Sequence, residues 1–253
     1  MDDKTALGDA LAMMRDLRKR CDWDAIQTHD SLRPYLIEES HELEEAIRNG
    51  DSERMREELG DVLLQVLFHS VIAEERGEFG ISDVAKALVT KMRARHPHLY
   101  GDGDREPWER MKSRKRESLA DGLPPGLPAL HRAHRLQDRA AGVGFDWPDV
   151  SGPAAKVEEE LAEFREHLAA HPPRSGAEAN PEIEAELGDL LFACVNLCRK
   201  AGVHASVALD RANAKFERRF REIERMCREL GTSPAELGLE RLDAMWDEAK
   251  RAE

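Results

Sequence analysis

Hydrophobic residues recur at helical spacing through almost the whole chain. In residues 53–76 they follow the i, i+3, i+4, i+7, i+8 order of one helix face, and residues 181–201 repeat this order. The first set is Leu59, Val62, Leu63, Val66 and Leu67, and the second is Leu187, Leu190, Leu191, Cys194 and Val195. Strand-like alternation is nearly absent. The pattern therefore predicts an all-α protein whose two apolar stripes face a core.

Helix-breaking residues divide this pattern into two halves. The predicted helices are 5–20, 31–48, 53–76 and 82–96, then 129–141, 151–170, 181–201, 204–229 and 234–251. Between the two groups lies Gly122-Leu-Pro-Pro-Gly-Leu-Pro128, which cannot continue a helix. We therefore expect two tandem helical-bundle domains, residues 1–120 and 121–253, and 253 residues are enough for two cores.

One acidic pattern occurs in both halves, on the predicted helices that carry the apolar stripes and on the helices before them. It reads Glu38-Glu39-x-x-Glu42 with Glu58-Leu-Gly-Asp61, and Glu159-Glu160-x-x-Glu163 with Glu186-Leu-Gly-Asp189. Residues three apart share a helix face, so each segment presents a pair of carboxylates. We expect one cluster of Glu39, Glu42, Glu58 and Asp61 and a second of Glu160, Glu163, Glu186 and Asp189.

Carboxylates gathered at the edge of a core repel one another and lose hydration, which destabilises the fold unless cations neutralise them. Oxygen ligands without Cys or His favour Mg²⁺, with Mn²⁺ as a substitute. Charged residues make up 35% of the chain, so a single acidic motif is more often a solvated helix face. The repetition in matched apolar surroundings favours two metal sites.

Net charge and hydropathy limit the class of partner. A formal net charge of −13 argues against a nucleic-acid polymer, because phosphate-backbone binding needs basic surface. No apolar run approaches the roughly 18 residues of a membrane span, and the first residues lack signal-peptide features. We expect a cytoplasmic protein that makes no membrane contact.

Further short segments accompany the acidic motifs. They are Cys21-Asp-Trp-Asp24, Arg95-His-Pro-His98, Leu127-Pro-Ala-Leu130, Val143-Gly-Phe-Asp-Trp147 and Asn213-Ala-Lys-Phe-Glu-Arg-Arg219. With these segments, nearly the whole chain resembles the tandem-domain form of the MazG nucleoside triphosphate pyrophosphohydrolases. The resemblance implies Mg²⁺-dependent cleavage of a nucleoside triphosphate between the α and β phosphates, giving the monophosphate and pyrophosphate. It also implies homodimers in which helices of two subunits complete each bundle.

Cationic side chains that can bind a triphosphate occur in the second half. Lys156 lies one turn before Glu160, and Lys215 and Arg219 share a face at i and i+4. The alternative for Lys215 and Arg219 is an exposed helix laced with salt bridges. Asn213 is a candidate for phosphate or metal contact. Trp246 is a candidate for stacking on a base, although packing in a core or dimer explains it equally well.

Hydrolysis at phosphorus also needs a group that accepts the proton of the attacking water. Glu159 and the metal ligands, such as Glu160 and Glu163, are the candidates, and sequence spacing does not choose between them. The first half has Tyr35 at the position of Lys156 and Val89 at that of Asn213. The second half is therefore expected to be the main catalytic domain, while the first binds metal and turns over slowly or acts on another substrate.

Two other classes of protein remain open at this point. A non-catalytic regulator could bind metal and nucleotide through the same acidic residues. A di-iron carboxylate protein is suggested by the ExxH spacing of Glu38 and His41, but the repeat has Ala162 at the position of His41.

Overall fold

A computed structural model of the protein describes residues 3–101, 103, 116–172 and 180–252. In these ranges every regular element is a helix, and they contain no strand, which confirms the all-α prediction. Contacts divide the chain into two compact units, Met1–Arg105 and Glu106–Glu253. The carbonyls of Leu119 and Asp121 both accept hydrogen bonds from Arg139 in the second unit. The domain limits 1–120 and 121–253 stay a prediction.

The described part of the first unit contains six helices. They are α1 (Asp3–Arg20), α2 (Asp22–Ile26), α3 (His29–Asn49), α4 (Ser52–Glu75), α5 (Ile81–Arg95) and α6 (Pro97–Tyr100). The described part of the second unit contains α7 (Ala129–Gly142), α8 (Ser151–Ala170), α9 (Pro181–Lys200), α10 (Ala205–Glu229) and α11 (Leu239–Arg251). The predicted continuous helix 234–251 is wrong at its start. Pro234–Glu236 forms a 3-10 turn, and the extended backbone of Leu237 and Gly238 separates that turn from α11.

Local chemistry fixes the helix pair that carries the first acidic motif. The Thr28 hydroxyl accepts from the Ser31 amide and caps α3, and the Asp51 carboxylate accepts from the first amides of α4. Gly50 has a φ of 68°, in the left-handed region that glycine adopts without strain. The two-residue connection turns the chain back at once, so α3 and α4 pack against each other.

The cores of the two units are built from different helices. In the first unit Met14 of α1 and Leu32 of α3 pack with the C-terminal half of α4, whose core residues are Leu67, Phe68, Val71 and Ile72. In the second unit the buried cluster joins α10 and α11 through Ile223, Met226, Cys227, Met245 and Ala249. The first core therefore lies next to its acidic helices, whereas this second cluster lies on later helices.

The apolar stripes of α4 and α9 are only partly covered within the chain. Leu67 and Val195 are buried, as expected for a core-facing stripe, but Leu59, Val66, Leu187 and Leu191 are exposed. The expectation that both stripes face a core within the chain is therefore only half correct. None of the described helices combines the length and apolar character that a membrane crossing requires.

Candidate functional site

The first acidic cluster lies across the α3–α4 pair. Glu39 of α3 meets Glu58 and Asp61 of α4, and one carboxylate oxygen of each lies within 4.8 Å of the others. Glu39 is half-buried and Glu58 is buried, at 8% exposure. Glu42, one turn after Glu39, lies outside this group of three but interacts with Glu58. The predicted convergence of Glu39, Glu58 and Asp61 is therefore present in the structure.

Charge repulsion and burial shape this cluster. The pKa of Glu39 is raised, first by burial and then by the negative charges of Asp61 and Glu42. The pKa of Glu42 is raised mainly by the charge of Glu58. One oxygen of Glu58, Oε2, is buried and has no hydrogen-bond partner among the described residues. A buried carboxylate oxygen without a donor is the feature that a bound cation would satisfy.

One basic side chain partly offsets the charge of the first cluster. Arg54 lies one turn before Glu58 on α4, with its Nε 3.4 Å from Glu58 Oε1 and its Nη2 3.0 Å from Glu45 Oε2. The guanidinium is shared between two carboxylates and leaves Glu58 Oε2 unsatisfied. The sequence interpretation missed Arg54, although its i, i+4 spacing to Glu58 was a usable signal.

The second cluster lies across α8 and α9, with two carboxylates from the first helix of the pair and one from the second, the reverse of the first cluster. Oxygens of Glu160 and Glu163 of α8 and of Glu186 of α9 lie within 4.8 Å of one another. Glu160 is buried, at 6% exposure, whereas Glu163 is exposed. Asp189, one turn after Glu186, is exposed and lies outside this group. Three of the four predicted ligands therefore come together in the chain as it stands.

A lysine neutralises part of the second cluster. Lys156 Nζ lies 2.7 Å from Glu160 Oε1 and 2.9 Å from Glu159 Oε1. These two hydrogen bonds raise the pKa of Lys156. The pKa of Glu163 is raised by burial and by the charge of Glu160, while Lys156 acts in the opposite direction. Glu159 is exposed and lies beside the cluster, as the sequence predicted.

A histidine on α8 also borders the second cluster. His167 Nε2 lies 3.5 Å from Glu186 Oε1, and its Nδ1 lies 3.6 Å from Glu182 Oε2. The sequence interpretation missed His167, and no spacing rule could have found it, because its partners are on the next helix. In contrast, His41, which the di-iron alternative requires, is exposed and belongs to neither carboxylate group.

The remaining candidates for substrate contact lie on α10 and α11. Asn213 and Lys215 are exposed on α10. The Arg219 guanidinium lies 5.4 Å from the ring centroid of Trp246, and the Phe216 ring lies 5.2 Å from it. Trp246 also packs against the buried cluster of α10 and α11. These contacts favour the packing interpretation of Trp246, and its role in base stacking stays a prediction.

The donor set of both clusters suits a hard divalent cation. Each offers three converging carboxylates, at least one of them buried, and no thiolate. Carboxylate oxygens are the ligands that Mg²⁺ and Mn²⁺ prefer. The pKa values of Glu39, Glu42 and Glu163 are raised, the direction expected where carboxylates lie close together. Glu39, Glu58 and Asp61, and Glu160, Glu163 and Glu186, thus fit a divalent metal.

Comparison with known proteins relates the sequence of this chain to a family. The profile of the MazG nucleotide pyrophosphohydrolase domain matches residues 27–100 and 153–223, so each match contains one cluster. The chain is 45% identical over 249 residues to the nucleoside triphosphate pyrophosphohydrolase/pyrophosphatase MazG of Thermotoga maritima, covering 95% of this chain and 94% of that protein.

Two further relatives carry similar names. The nucleoside triphosphate pyrophosphohydrolase of Escherichia coli K12 is 39% identical over 252 residues, covering 95% of this chain and 94% of that protein. The nucleoside triphosphate pyrophosphohydrolase of Mycolicibacterium smegmatis is 44% identical over 152 residues, covering 55% of this chain and 47% of that protein. The similarity to the first two proteins therefore spans both units.

Proposed function

Because the chain belongs to the MazG nucleotide pyrophosphohydrolase family, we propose that it is a hydrolase that cleaves nucleoside triphosphates between the α and β phosphates. The products are a nucleoside monophosphate and pyrophosphate, and the reaction depends on Mg²⁺, for which Mn²⁺ substitutes. The observation that carries this proposal is the pair of three-carboxylate clusters, each built around a buried glutamate.

In the second unit, Glu160, Glu163 and Glu186 would hold the metal, and Asp189, one turn after Glu186, is the fourth proposed ligand. Bound there, the ion supplies charge neutralisation of the phosphate oxygens and lowers the pKa of water. In the first unit, Glu39, Glu42, Glu58 and Asp61 form the equivalent set. Arg54 beside Glu58 already neutralises part of that charge.

The side chains around the second cluster account for the remaining steps. Lys156 is held against Glu159 and Glu160, and a triphosphate oxygen offers it a third anionic partner. Glu159, exposed and outside the group of three, is the best-placed carboxylate to accept the proton of the attacking water. The water oxygen forms a bond to one of the two phosphorus atoms of the α–β bridge. The bond from that same phosphorus to the bridging oxygen breaks, and the bridging oxygen leaves with the other product. Asn213, Lys215, Arg219 and Trp246 complete the proposed set of substrate contacts.

Self-association is part of this proposal. Leu59, Val66, Leu187 and Leu191 are exposed on the acidic helices, and each lies close in sequence to a proposed ligand. Burying such side chains against a second copy would remove apolar surface from water at roughly 25 cal/mol per Å². We therefore expect a homodimer that completes the bundles around the clusters. Sedimentation equilibrium measures this directly, and a monomer at micromolar concentration would contradict it.

Product identification tests the activity. The purified protein would be incubated with a panel of NTPs and dNTPs and Mg²⁺, and products separated by ion-exchange chromatography. We expect monophosphate and pyrophosphate, lost in Glu160→Ala/Glu163→Ala and retained in the matched Glu39→Ala/Glu42→Ala variant. Release of inorganic phosphate together with a nucleoside diphosphate would contradict the cleavage position. Triphosphate that is bound but left intact would identify a nucleotide-binding regulator instead.

A further inference from the structure

Two histidines and a glutamate come together at one end of the helix pair that carries the second cluster. His167 lies in the last turn of α8, His171 follows directly after that helix, and Glu182 lies in the first turn of α9. Glu182 Oε2 lies 3.6 Å from His167 Nδ1 and 3.8 Å from His171 Nδ1. Two imidazole nitrogens therefore face the same carboxylate oxygen of the neighbouring helix.

Helical spacing places the two histidine side chains on the same side of the chain. The His167 carbonyl accepts a hydrogen bond from the His171 amide at 2.9 Å, so the second histidine follows the first by one turn. A pair of histidines at i and i+4 on one helix face is a known arrangement of zinc ligands. Two histidines and one glutamate together form a donor set that binds zinc in hydrolases. The three side chains therefore have the chemistry of a transition-metal site.

Helix dipoles explain these contacts only in part. A histidine near the end of one helix and an acid near the start of the next are both favourable with the dipoles. Hydrogen bonds between them would bring donor and acceptor to about 2.7–3.2 Å, but the contacts with Glu182 are longer. In a tetrahedral zinc site the ligand atoms lie about 3.3 Å apart, because each is roughly 2.0 Å from the metal. The separations from Glu182 exceed that spacing only slightly, although the three side chains do not converge as closely as the two carboxylate clusters do.

The other ring nitrogen of His167 faces the second cluster. His167 Nε2 lies 3.5 Å from Glu186 Oε1. A histidine that binds a metal through one nitrogen usually donates its other N–H to a carboxylate, a carbonyl or water, which fixes the tautomer and the orientation of the ring. With Nδ1 toward Glu182 and Nε2 toward Glu186, His167 is oriented for both roles. A metal at the histidines would therefore be linked to the carboxylate cluster through this one ring.

The first unit has different residues at the corresponding positions. In the register of the two acidic motifs, Ala46 and Gly50 correspond to the two histidines, and Arg54 corresponds to the glutamate that faces them. Arg54 Nε lies 3.4 Å from Glu58 Oε1 and supplies positive charge beside that carboxylate. The second unit has an acid at the position of this arginine, next to Glu186 on the same helix. A cation bound by the histidines and this acid would supply positive charge in the equivalent place.

We propose that His167, His171 and Glu182 bind a transition-metal ion, and that Zn²⁺ is the ion that two imidazoles and one carboxylate suit best. His167 binds it through Nδ1 and donates its Nε2–H to Glu186. The side chain of His171 is 53% exposed, so its ring can turn toward the same ion. Nitrogen ligands distinguish this site from the two carboxylate clusters, which suit Mg²⁺ or Mn²⁺. The ion ties the end of α8 to the start of α9.

Calorimetric titration with Zn²⁺ tests this site, with Mg²⁺ in excess to compete for the carboxylate clusters. We expect one tight zinc-binding event per chain, weakened by at least about tenfold in His167→Gln/His171→Gln, because the nitrogen ligands are lost. His96→Gln/His98→Gln is the matched control, since these two rings also lie close together, 5.8 Å apart, and this variant should keep the event. Equal zinc affinity in all three proteins, or no binding by the unmodified protein, would overturn the proposal.

Nuclear magnetic resonance and a second pair of variants test the ligand atoms. In ¹H–¹⁵N spectra of the histidine rings, Zn²⁺ should shift the Nδ1 signal of His167, which is assigned by its absence in His167→Gln. Glu182→Gln keeps the size of the side chain but removes its charge, and zinc affinity should fall by about tenfold or more. Glu184→Gln is the matched control, because a residue two positions further along α9 points to another side of the helix. Zinc that shifts neither ring nitrogen of His167 would exclude this site.

Thermal unfolding measures the link between the two helices. An ion that binds only the folded chain raises Tm, so Zn²⁺ should raise it in the unmodified protein and in His96→Gln/His98→Gln, but not in His167→Gln/His171→Gln. An equal rise in all three would show that zinc acts elsewhere and would overturn the proposal. None of these measurements uses a nucleotide. Nucleotide hydrolysis without zinc binding would therefore exclude the metal site alone, and zinc binding without hydrolysis would exclude the proposed function alone.

Discussion

Each unit brings three carboxylates together across a helix pair, but only two positions match between the units, Glu39 with Glu160 and Glu58 with Glu186, and the surroundings differ. In the first unit the buried Glu58 faces Arg54, which comes from its own helix and is shared with Glu45. In the second unit the buried Glu160 faces Lys156, which also holds the exposed Glu159. Next to the clusters, the first unit has a filled core at Phe68 and the second has a cavity at Asn196. Both units therefore have a carboxylate cluster across a helix pair, but the third carboxylate and the neighbouring cation differ.

The difference between Phe68 and Asn196 affects the stability of the two units unequally. A hydrophobic side chain such as Phe68 stabilises a unit by roughly 1.5–3 kcal/mol when fully buried. The second unit gives up that contribution at Asn196 and instead buries apolar surface between α10 and α11. The filled core beside the acidic helices therefore stabilises the first unit. The second unit instead has an open, mainly apolar cavity beside α9.

The largest difference between the units is expected when the corresponding glutamates Glu160 and Glu39 are neutralised one at a time. Glu160→Gln keeps the shape of the side chain but removes a ligand charge, so kcat/KM should fall by about 10²–10³. Glu39→Gln, the corresponding change in the first cluster, should alter kcat/KM less than about threefold if, as we propose, the second unit does most of the turnover. Steady-state pyrophosphate release measures both variants. Equal losses would show that the two clusters act together.

The cation beside the second cluster gives the next largest effect. Lys156→Ala removes a charge-assisted contact with phosphate and should lower kcat/KM by about 10–100-fold. Lys86→Ala is the matched control, since Lys86 forms an exposed ion pair with Asp83 in the first unit. Unchanged kinetics in Lys156→Ala would remove this lysine from the site.

The reciprocal substitution sharpens the same comparison. Tyr35→Lys places an amine in the first unit at the position of Lys156. In a Glu160→Gln background it should raise the residual pyrophosphate release, because the first cluster then has, besides Arg54, a cation at the position of Lys156. No gain in that background would mean that the absence of an amine at position 35 does not limit the first unit.

The sequence predicted those features that depend on spacing within one helix. Glu58 with Asp61 and Glu160 with Glu163 lie three residues apart, and the helical period was enough to pair them. The encounter of Glu39 with Glu58 required a second assumption, that consecutive helices pack, which the Gly50–Asp51 connection makes true. Features that depend on packing between helices could not be predicted from the sequence. His167 beside Glu186 and Gln137 beside Phe192 have no signal in their own segments.

The apolar stripes show the same limit of prediction from sequence. Periodicity predicted that Leu59, Val66, Leu187 and Leu191 would face a core, yet all four are exposed. A helical period indicates which residues share a face, but not whether the surface that covers this face belongs to the same chain. Trp246 is a related case, because its sequence context allowed stacking on a base or packing, and its contacts with Phe216 and Arg219 favour packing.

Histidines that pack against one another give a smaller, pH-dependent contrast between the units. In the second unit the rings of His131 and His134 lie 5.0 and 4.3 Å from the ring of His204. The pKa values of His131 and His134 are lowered, first by burial, although Asp138, whose Oδ2 is 3.7 Å from His134 Nε2, acts in the opposite direction. The other charged side chains that act on them are Arg135 and Arg199.

In the first unit a single described histidine shows this effect. The pKa of His69 is lowered by burial and by His29, whose Nδ1 lies 2.7 Å from His69 Nδ1. A histidine with a lowered pKa stays neutral in the folded chain, while the unfolded chain takes up a proton below its ordinary pKa of 6.5. Stability from these groups is therefore complete above pH 6.5 and is lost as the pH falls toward the lowered values.

Urea unfolding at pH 7.5 and pH 5.5 measures this loss. We expect the free energy of unfolding to fall between the two pH values, and His131→Gln/His134→Gln to reduce the fall more than His69→Gln does, because it removes two such groups instead of one. An identical pH dependence in all three proteins would mean that other groups control the acid response.

The smallest predicted effect concerns the glycine inside each acidic motif. Gly60 and Gly188 occupy the same position of α4 and α9, and a Cβ on either would meet no described atom within 4 Å. Glycine inside a helix costs about 0.5–1 kcal/mol relative to alanine, so Gly60→Ala and Gly188→Ala should each stabilise the protein by that amount in urea unfolding. One substitution could instead destabilise its unit while the other stabilises its own. The glycine of the weakened unit must then lie against something outside this chain. A second copy packed on the exposed leucines of that helix would be the first candidate. Sedimentation of the weakened variant would decide, because a broken contact between copies lowers its mass, whereas strain within the chain leaves the mass unchanged.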